Sequence, residues 1–394
     1  MSFCIAILGY NRPFAMRRLL KSLIESDVES RIPIIISLEY NYDPAHDQIL
    51  SDFKYSRFEN IQIKRSRQRM GLKSHVLITG ALAGEYGGVV ILEDDLFLSG
   101  DVYSYLLGLI ESGSDVVEQS AAISLYNPSY DEYSKTVFQP VQNNNDIYRM
   151  LVPASSGYYW SKQNWNDFRT WLDENEHNLD DFERCVPQVL FNWPDSSWKK
   201  LFGIFQAVTG RYTIYPYRSR ITNFSDRGGT HIPYGTDLHQ SFISIGVNSM
   251  SYKLRHDADP IVSYDQFWEI ELNIKDKRSH RVCLKGSGLL RIKNVSEQDI
   301  YVIERMRRGS KSIPVVLRPI EANFYREFDE EETSYFYINL VSFNHRLVRR
   351  SLGYYSFLSV APLGYWNGVT SPRFLRLLGT HFLRHICKKL TGFR

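Results

Sequence analysis

The stretch Gly87-Gly88-Val89-Val90-Ile91-Leu92-Glu93-Asp94-Asp95-Leu96 is an apolar run that ends in three consecutive carboxylates. Val89 to Leu92 has the length and composition of a strand buried on both faces of a parallel sheet. Three adjacent acids cannot stay unpaired inside such a sheet, because desolvating an isolated carboxylate is prohibitive. They belong where the strand emerges, and in open α/β sheets the carboxyl ends of strands are where ligands bind. Strand alternation would turn Glu93 and Asp95 to one side and Asp94 to the other. Hard oxygen ligands grouped in this way suit Mg²⁺ or Mn²⁺ carrying substrate phosphates. The plainer alternative is a solvated acidic turn.

Working outward toward the N-terminus, Phe3 to Leu8 reads as a first strand, followed by the loop Gly9-Tyr10-Asn11-Arg12-Pro13. Met16, Leu19, Leu20, Leu23 and Ile24 then recur at helical spacing, with Pro13 near the helix start. Pro33 to Leu38 is a second strand ending at Glu39. Ile61-Gln62-Ile63 is a third, leading into a basic stretch and a helix that carries His75. Strand and helix alternating over the first hundred residues predict an α/β fold, Rossmann-like with a mostly parallel, doubly wound sheet. Neither Gly-x-Gly-x-x-Gly nor a P-loop is present, so phosphates would be held by a metal and basic side chains.

Downstream, a short strand is expected within Ser120–Tyr130 and another from Tyr212 to Tyr217, with helices over 162–170 and 179–191. Ala154-Ser155-Ser156-Gly157 are small enough to let a ligand approach the backbone. Asn192-Trp193-Pro194-Asp195-Ser196-Ser197-Trp198 sets an acid between two tryptophans, and Asp226-Arg227-Gly228-Gly229-Thr230-His231 forms a flexible loop that could close over phosphates. A plain hairpin turn is the alternative for that loop. Three regions are expected: a catalytic domain over 1–240, a smaller, more β-rich accessory region over 241–370, and a basic tail over 371–394. In the second region Trp268 to Ile274 alternates as a half-exposed strand should.

The four cysteines are scattered without metal or redox spacing, which fits a reduced, cytoplasmic setting. The residues before the first helix are too few for a secretory core, and no window reaches the roughly 18–20 apolar residues of a membrane span. The aromatic residues, 26 Tyr, 22 Phe and 7 Trp, suit sugar-binding surfaces, but a well-packed core is the weightier reading. Net charge is +3, yet no acid follows Glu332 while nine basic residues do, so the body is acidic and the tail basic. Leu375, Leu378, Phe382, Ile386 and Leu390 share one helical stripe flanked by Arg376, Arg384, Lys388 and Lys389. That is the pattern of an amphipathic helix on an anionic membrane surface. A helix packed on its own protein is the alternative.

The order of these features resembles glycosyltransferases of the GT-A fold, specifically N-acetylglucosaminyltransferase I and its bacterial relatives. The stretches that carry the likeness are Ile5-Ala6-Ile7 to Arg12, Pro33 to Ser37, Glu93-Asp94-Asp95-Leu96 and the Gly-Gly-Thr-His loop, within residues 3 to 235. The resemblance implies that Asp95 coordinates Mn²⁺ (or Mg²⁺) bridging a diphosphate, and that Asp94 contacts the nucleotide-sugar. It implies that Arg12 and Glu39 hold the nucleoside, although the family carries Asp where this chain has Glu39. It further implies that His75 approaches the donor and that Arg227 and His231 order over it. Asp195 best matches the catalytic base, with Asp180 and Asp181 as alternatives.

The implied activity is an inverting transfer of a hexose or N-acetylhexosamine from a nucleotide diphosphate sugar, a UDP-sugar first, to a glycan hydroxyl. A lipid-linked acceptor in polysaccharide biosynthesis would place the enzyme peripherally at the inner face of the membrane, with no nucleic-acid partner. The rival readings are a nucleotidyltransferase on the same sheet and metal site, and a non-catalytic carbohydrate- or membrane-binding protein.

Overall fold

The structure, a computed structural model, describes residues 3–133, 136–228, 239–243, 260–271, 281–283, 300–306, 312–314, 316–324 and 337–342. The expected tail over 371–394 and most of the accessory region lie outside the described residues, as does His231.

The chain begins with β1 (Cys4–Gly9), α1 (Pro13–Glu25), β2 (Ile34–Leu38), α2 (Ala45–Phe53), β3 (Ile61–Arg65), α3 (Gly71–Gly80), α4 (Leu82–Tyr86) and β4 (Gly88–Glu93). It continues through β5 (Leu96–Leu98), α5 (Val102–Glu111), α6 (Asp115–Glu118), β6 (Ala122–Ser124), β7 (Tyr130–Asp131), β8 (Thr136–Val137), β9 (Ile147–Met150) and β10 (Tyr158–Ser161). Then come α7 (Lys162–Asn175), α8 (Gln188–Phe191), α9 (Trp198–Thr209), β11 (Thr213–Pro216), β12 (Ile221–Asn223) and β13 (Ser263–Tyr264). Four later strands, β14 (Arg281–Cys283), β15 (Ile300–Met306), β16 (Ser312–Pro314) and β17 (Tyr337–Ser342), form a separate sheet in the order β14-β15-β17-β16.

A nine-stranded sheet runs β13-β9-β11-β6-β10-β4-β1-β2-β3. Its β3-β2-β1-β4 half is parallel throughout, as strand–helix alternation demands. The other half is mixed: β10 runs antiparallel to both β4 and β6, while β11 pairs parallel with β6. The architecture is therefore mixed α/β with a mostly parallel central sheet. Because β13 pairs with β9, the large sheet also draws on residues beyond 240.

Successive residues of the central strands feed opposite faces. Ala6, Val89, Ile91, Tyr158 and Trp160 enter a core with α7 and α9, while Ile5, Ile7, Val90 and Leu92 enter one with α1 and α5. Each apolar side chain buried in this way contributes on the order of 1.5–3 kcal/mol. In α1 the stripe Met16, Leu19, Leu20 and Leu23 faces the sheet, and Pro13 occupies the first turn, where its missing N–H is harmless.

Two expected elements differ. The stretch over 179–191 is broken into a 3₁₀ turn (Leu179–Cys185) and the short α8, because Pro187 stands between them and disfavours helix before it. Trp268 to Glu271 is not a strand. Asp265 accepts hydrogen bonds from the Phe267 and Glu269 amides at 2.8 and 3.0 Å, curling the chain so that Trp268 takes φ +64°. Trp268, Glu269 and Ile270 are consecutively buried, so the apparent alternation does not report one exposed face.

Candidate active site

β4 ends at Glu93, and Asp94 and Asp95 form the turn into β5. Strand alternation therefore stops one residue before it could separate them. Arg12, in the loop after β1 and directly ahead of α1, bridges the two: Nη2 donates to Asp94 Oδ1 at 2.5 Å and Nη1 to Asp95 Oδ2 at 2.8 Å. The expected split of Asp94 from Asp95 is thus corrected, since both acids converge on one guanidinium. Glu93 shares its register with Ile91 on the α9 side.

One positive charge does not balance three acids. Burial, reinforced by Asp95 and opposed by Arg12, pushes Glu93 up to about 8. Burial raises Asp94 to about 6, with Arg12 again opposing. Asp95 Oδ1 is buried and has no hydrogen-bond partner among the described residues. An orphaned carboxylate oxygen beside acids whose ionisation burial disfavours marks a site that is short of cationic charge. A hard divalent ion fits Asp95 Oδ1, although no three His, Cys, Asp or Glu side chains converge as a metal cage among the described residues. Mg²⁺-type ions bound by one or two carboxylates complete their shells with water and substrate phosphate.

Glu39 directly follows β2 and is buried, with its carboxylate turned toward the chain. Oε1 accepts from the Tyr40 amide at 2.7 Å and Met70 at 3.0 Å, and Oε2 from Gly71 at 2.7 Å. Burial works against its charge, but these three amides outweigh it and hold Glu39 below the ordinary carboxylate range. Glu39 thereby caps the N-terminus of α3, in keeping with the helix dipole. One turn along α3, His75 is buried with Nε2 2.7 Å from Ser37 Oγ of β2. Burial lowers its pKa, with Glu39 opposing, so the neutral ring is favoured.

The loop after β12 is fastened to the acid turn. β12 pairs antiparallel with β5, and the Phe224 amide donates to the Asp95 carbonyl at 3.0 Å. Arg18 of α1 lies 3.7 Å over the Phe224 ring and pairs with Asp226 through both carboxylate oxygens. Arg227 and Gly228 follow, exposed, so the structure brings the start of this loop beside the acids.

Asp195 stands apart. It is 89% exposed at the side chain, and Oδ1 accepts from Lys200 Nζ at 2.9 Å. Asp180 and Asp181 are also exposed, in the 3₁₀ turn. Just before β10, Gly157 is closely packed beside the acid turn: a Cβ on it would meet Ile221 Cδ1 at 2.3 Å. Its size serves packing there, where ligand approach was expected.

Sequence patterns did not single out Tyr10 and Tyr40, half-exposed aromatics just beyond β1 and β2 that flank the same edge. Their only signal was position, one and two residues past apolar strands. Also unforeseen was Lys199, which pairs with Glu132 at 2.6 Å, lies 5.3 Å from the Trp193 ring and acts electrostatically on Glu93. An open cavity of about 500 Å³, lined by Tyr42, Asp47, Lys54 and Arg65 among others, lies near β3 and contains none of the acids above. No described helix is long and apolar enough to cross a membrane.

No protein-family model and no curated protein sequence matches the chain. Among solved structures it is similar to residues 1–349 of S. aureus TarS in complex with UDP-GlcNAc, at 12% identity and TM-score 0.38, covering 59% of this chain and 60% of that one. It is also similar to GalNAc-T7 with UDP, GalNAc and Mn²⁺, at 11% identity and TM-score 0.38, covering 57% and 43%. A third is the mannosyltransferase PcManGT of Pyrobaculum calidifontis with GDP-Man and Mn²⁺, at 11% identity and TM-score 0.35, covering 54% of each chain. The match thus spans less than two thirds of each of these proteins. Likenesses this faint carry no weight of their own; the strand order and the acid turn do.

Proposed function

We propose that this chain is a nucleotide-sugar glycosyltransferase of GT-A type. The observation that carries the reading is the unpartnered, buried Asp95 Oδ1 in a turn at the carboxyl end of a parallel strand, beside Arg12. That edge is where an α/β sheet takes its ligand. A divalent ion held there by Asp95, with Asp94 beside it, would neutralise charge on a departing diphosphate.

The chain's own groups supply the rest. Arg12 is poised to exchange its acid contacts for anionic phosphate, which its planar guanidinium matches well. Tyr10 and Tyr40 offer faces for a planar base. Glu39 and His75 stiffen the β2 end and the α3 start that frame this edge. Arg227, three residues beyond Phe224 and its bond to Asp95, is within a short loop's movement of the phosphates. Asp195 accepts a proton from the attacking hydroxyl. A single carboxylate on the acceptor side suits one in-line displacement, with inversion at the anomeric carbon. A glycan acceptor, lipid-linked and reached through the basic tail at an anionic membrane surface, belongs to the same reading. The cytoplasmic face is then the expected location.

Titration of UDP-GlcNAc, other UDP-sugars and GDP-mannose into the protein, with and without Mn²⁺, tests the core of this. Binding of one nucleotide-sugar that strengthens at least tenfold with Mn²⁺ is expected. Binding of none, with or without the ion, overturns it. Removal of residues 371–394 should release the chain from vesicles of phosphatidylglycerol; persistent binding would place the membrane contact elsewhere.

A further inference from the structure

We infer that Lys200 is a positioning residue for Asp195: its buried ammonium pins carboxylate Oδ1 and leaves Oδ2 outward to take the acceptor proton. The inference rests on Asp195 being the base, as proposed above.

Lys200 is an unusual lysine. Only 7% of its side chain is exposed, and lysine is almost never buried unless it is paired. Its backbone is fixed in the first turn of α9, where its amide donates to the Ser197 cap at 3.3 Å. Its ammonium lies 5.1 Å from the Phe191 ring of α8. The only acceptor for Nζ among the described residues is Asp195 Oδ1 at 2.9 Å. Surface ion pairs normally contribute little, because two long side chains must both lose freedom. Here the lysine is already immobile, so only the short aspartate side chain has to be ordered.

The location supports this role. The Pro194–Ser197 turn, closed by the Ser197 amide on the Pro194 carbonyl at 2.8 Å, carries Asp195 at the head of α9. Trp198, next in that helix, lies against Tyr158 with ring centroids 5.0 Å apart, and Tyr158 pairs with Ile91 of β4. The head of α9 is thereby fastened to the strand whose end bears the acids.

In the step proposed, the acceptor O–H bond breaks and its proton passes to Asp195 Oδ2. The oxygen's electron pair forms the bond to the sugar C1, and the C1–O bond electrons leave with the nucleoside diphosphate. The charged groups acting on Asp195 are Lys200 of α9 and Lys73 of α3, the latter itself paired with Glu176 at 2.8 Å. Lys200, with Lys73 adding to it, holds Asp195 below its ordinary value. Removing Lys200 therefore raises that value, and the acid limb of activity moves to higher pH.

The test uses Mn²⁺-dependent hydrolysis of UDP-GlcNAc or GDP-mannose by the full chain, with water in place of the acceptor. Lys200→Met, which keeps the buried stem's bulk, should lower kcat roughly tenfold, as for a base left free to rotate. Its acid limb should move up by about half a pH unit, the scale of a screened pair, with donor KM unchanged. Lys200→Arg should restore most of both. High salt should shift the wild-type limb more than that of Lys200→Met, where only Lys73 is left to be screened. An unmoved limb in a Lys200→Met protein that melts normally, with Asp195→Asn inactive, overturns the positioning role and spares the base. Full activity of Asp195→Asn overturns both. Carboxyl ¹³C titration of Asp195 in the free wild type and in Lys200→Met reads the same shift without substrate. If no donor turns over, the pinning stands on a displaced titration and falls on an unchanged one.

Discussion

At the end of β4 the acids are the buried partners: Asp94 shows 4% of its side chain and Arg12 shows 15%. At the head of α9 the order is reversed, with Lys200 at 7% and Asp195 at 89%. Burial raises the first set of carboxylates, whereas Lys200 lowers the second. On the proposed reading the same chemical pair serves two purposes: buried acids left short of positive charge take a further cation, while an exposed, ionised acid takes a proton. A third pair, Arg220 with Asp101, is closed on both sides at 1% and 4% and is backed by Ser99 Oγ donating to Asp101 at 2.7 Å. It serves as an internal control, since charge buried on both sides is structural.

The largest effect expected from this contrast is on Asp95. Asp95→Ala should slow Mn²⁺-dependent turnover of a nucleotide-sugar about a thousandfold, because metal charge stabilisation is worth several kcal/mol. An unchanged rate would remove the reason for treating the acid turn as a cation site. Asp101→Ala should instead cost stability, about 3–5 kcal/mol by urea unfolding, because the buried Arg220 loses its carboxylate partner. Its rate per folded molecule should stay near wild type; a loss matching that of Asp95→Ala would merge the two buried pairs into one site.

Asp195→Asn should reduce turnover about a hundredfold, the lower range for a general base. It should leave donor affinity intact and melting close to that of the wild type. A large change in melting would show that its exposure misrepresents its role. The smallest effect belongs to Glu39. Glu39→Ala should cost about 1 kcal/mol at neutral pH, as for the loss of a helix cap. Because its folded pKa lies below the ordinary 4.5, the stabilisation is present above that value and fades as pH falls through the folded one. Unfolding curves of the two proteins should converge at low pH, and a constant gap would show that the charge is irrelevant.

Much of the first half was legible in the sequence because its signals are local. Ile5 to Leu8, Ile34 to Leu38 and Val89 to Leu92 are apolar runs with punctuation between them, and each became a parallel strand within a residue or two of its expected bounds. The acid triplet was legible for the same reason. Its internal geometry was not, since whether Asp95 follows strand alternation depends on where hydrogen bonding to β1 and β10 stops. The reversal at β10 is a long-range pairing of Tyr158 with Ile91, and nothing in Tyr158 to Ser161 announces a direction. The bridging of two acids by Arg12, 82 and 83 residues away, is of the same kind. Trp268 to Glu271 misled because an aspartate side chain can replace strand pairing with local hydrogen bonds.

Gly157, with φ +71°, bears on how much variation this fold tolerates. A methyl group there would meet Ile221 of β12 at 2.3 Å, Leu92 at 3.3 Å and Leu96 at 3.6 Å, the two leucines that bracket the acids. Gly228, at φ +85°, has no atom of the described residues within 4 Å of such a methyl group. Alanine at 228 meets only the backbone preference against the left-handed region, about 1 kcal/mol. Alanine at 157 meets that and a collision too, so it must push apart the strands that aim Asp94 and Asp95. The clearance of a single hydrogen atom at residue 157 thus sets the tolerance to which the acid turn is built. Substitution should therefore cost much less at residue 228 than at residue 157.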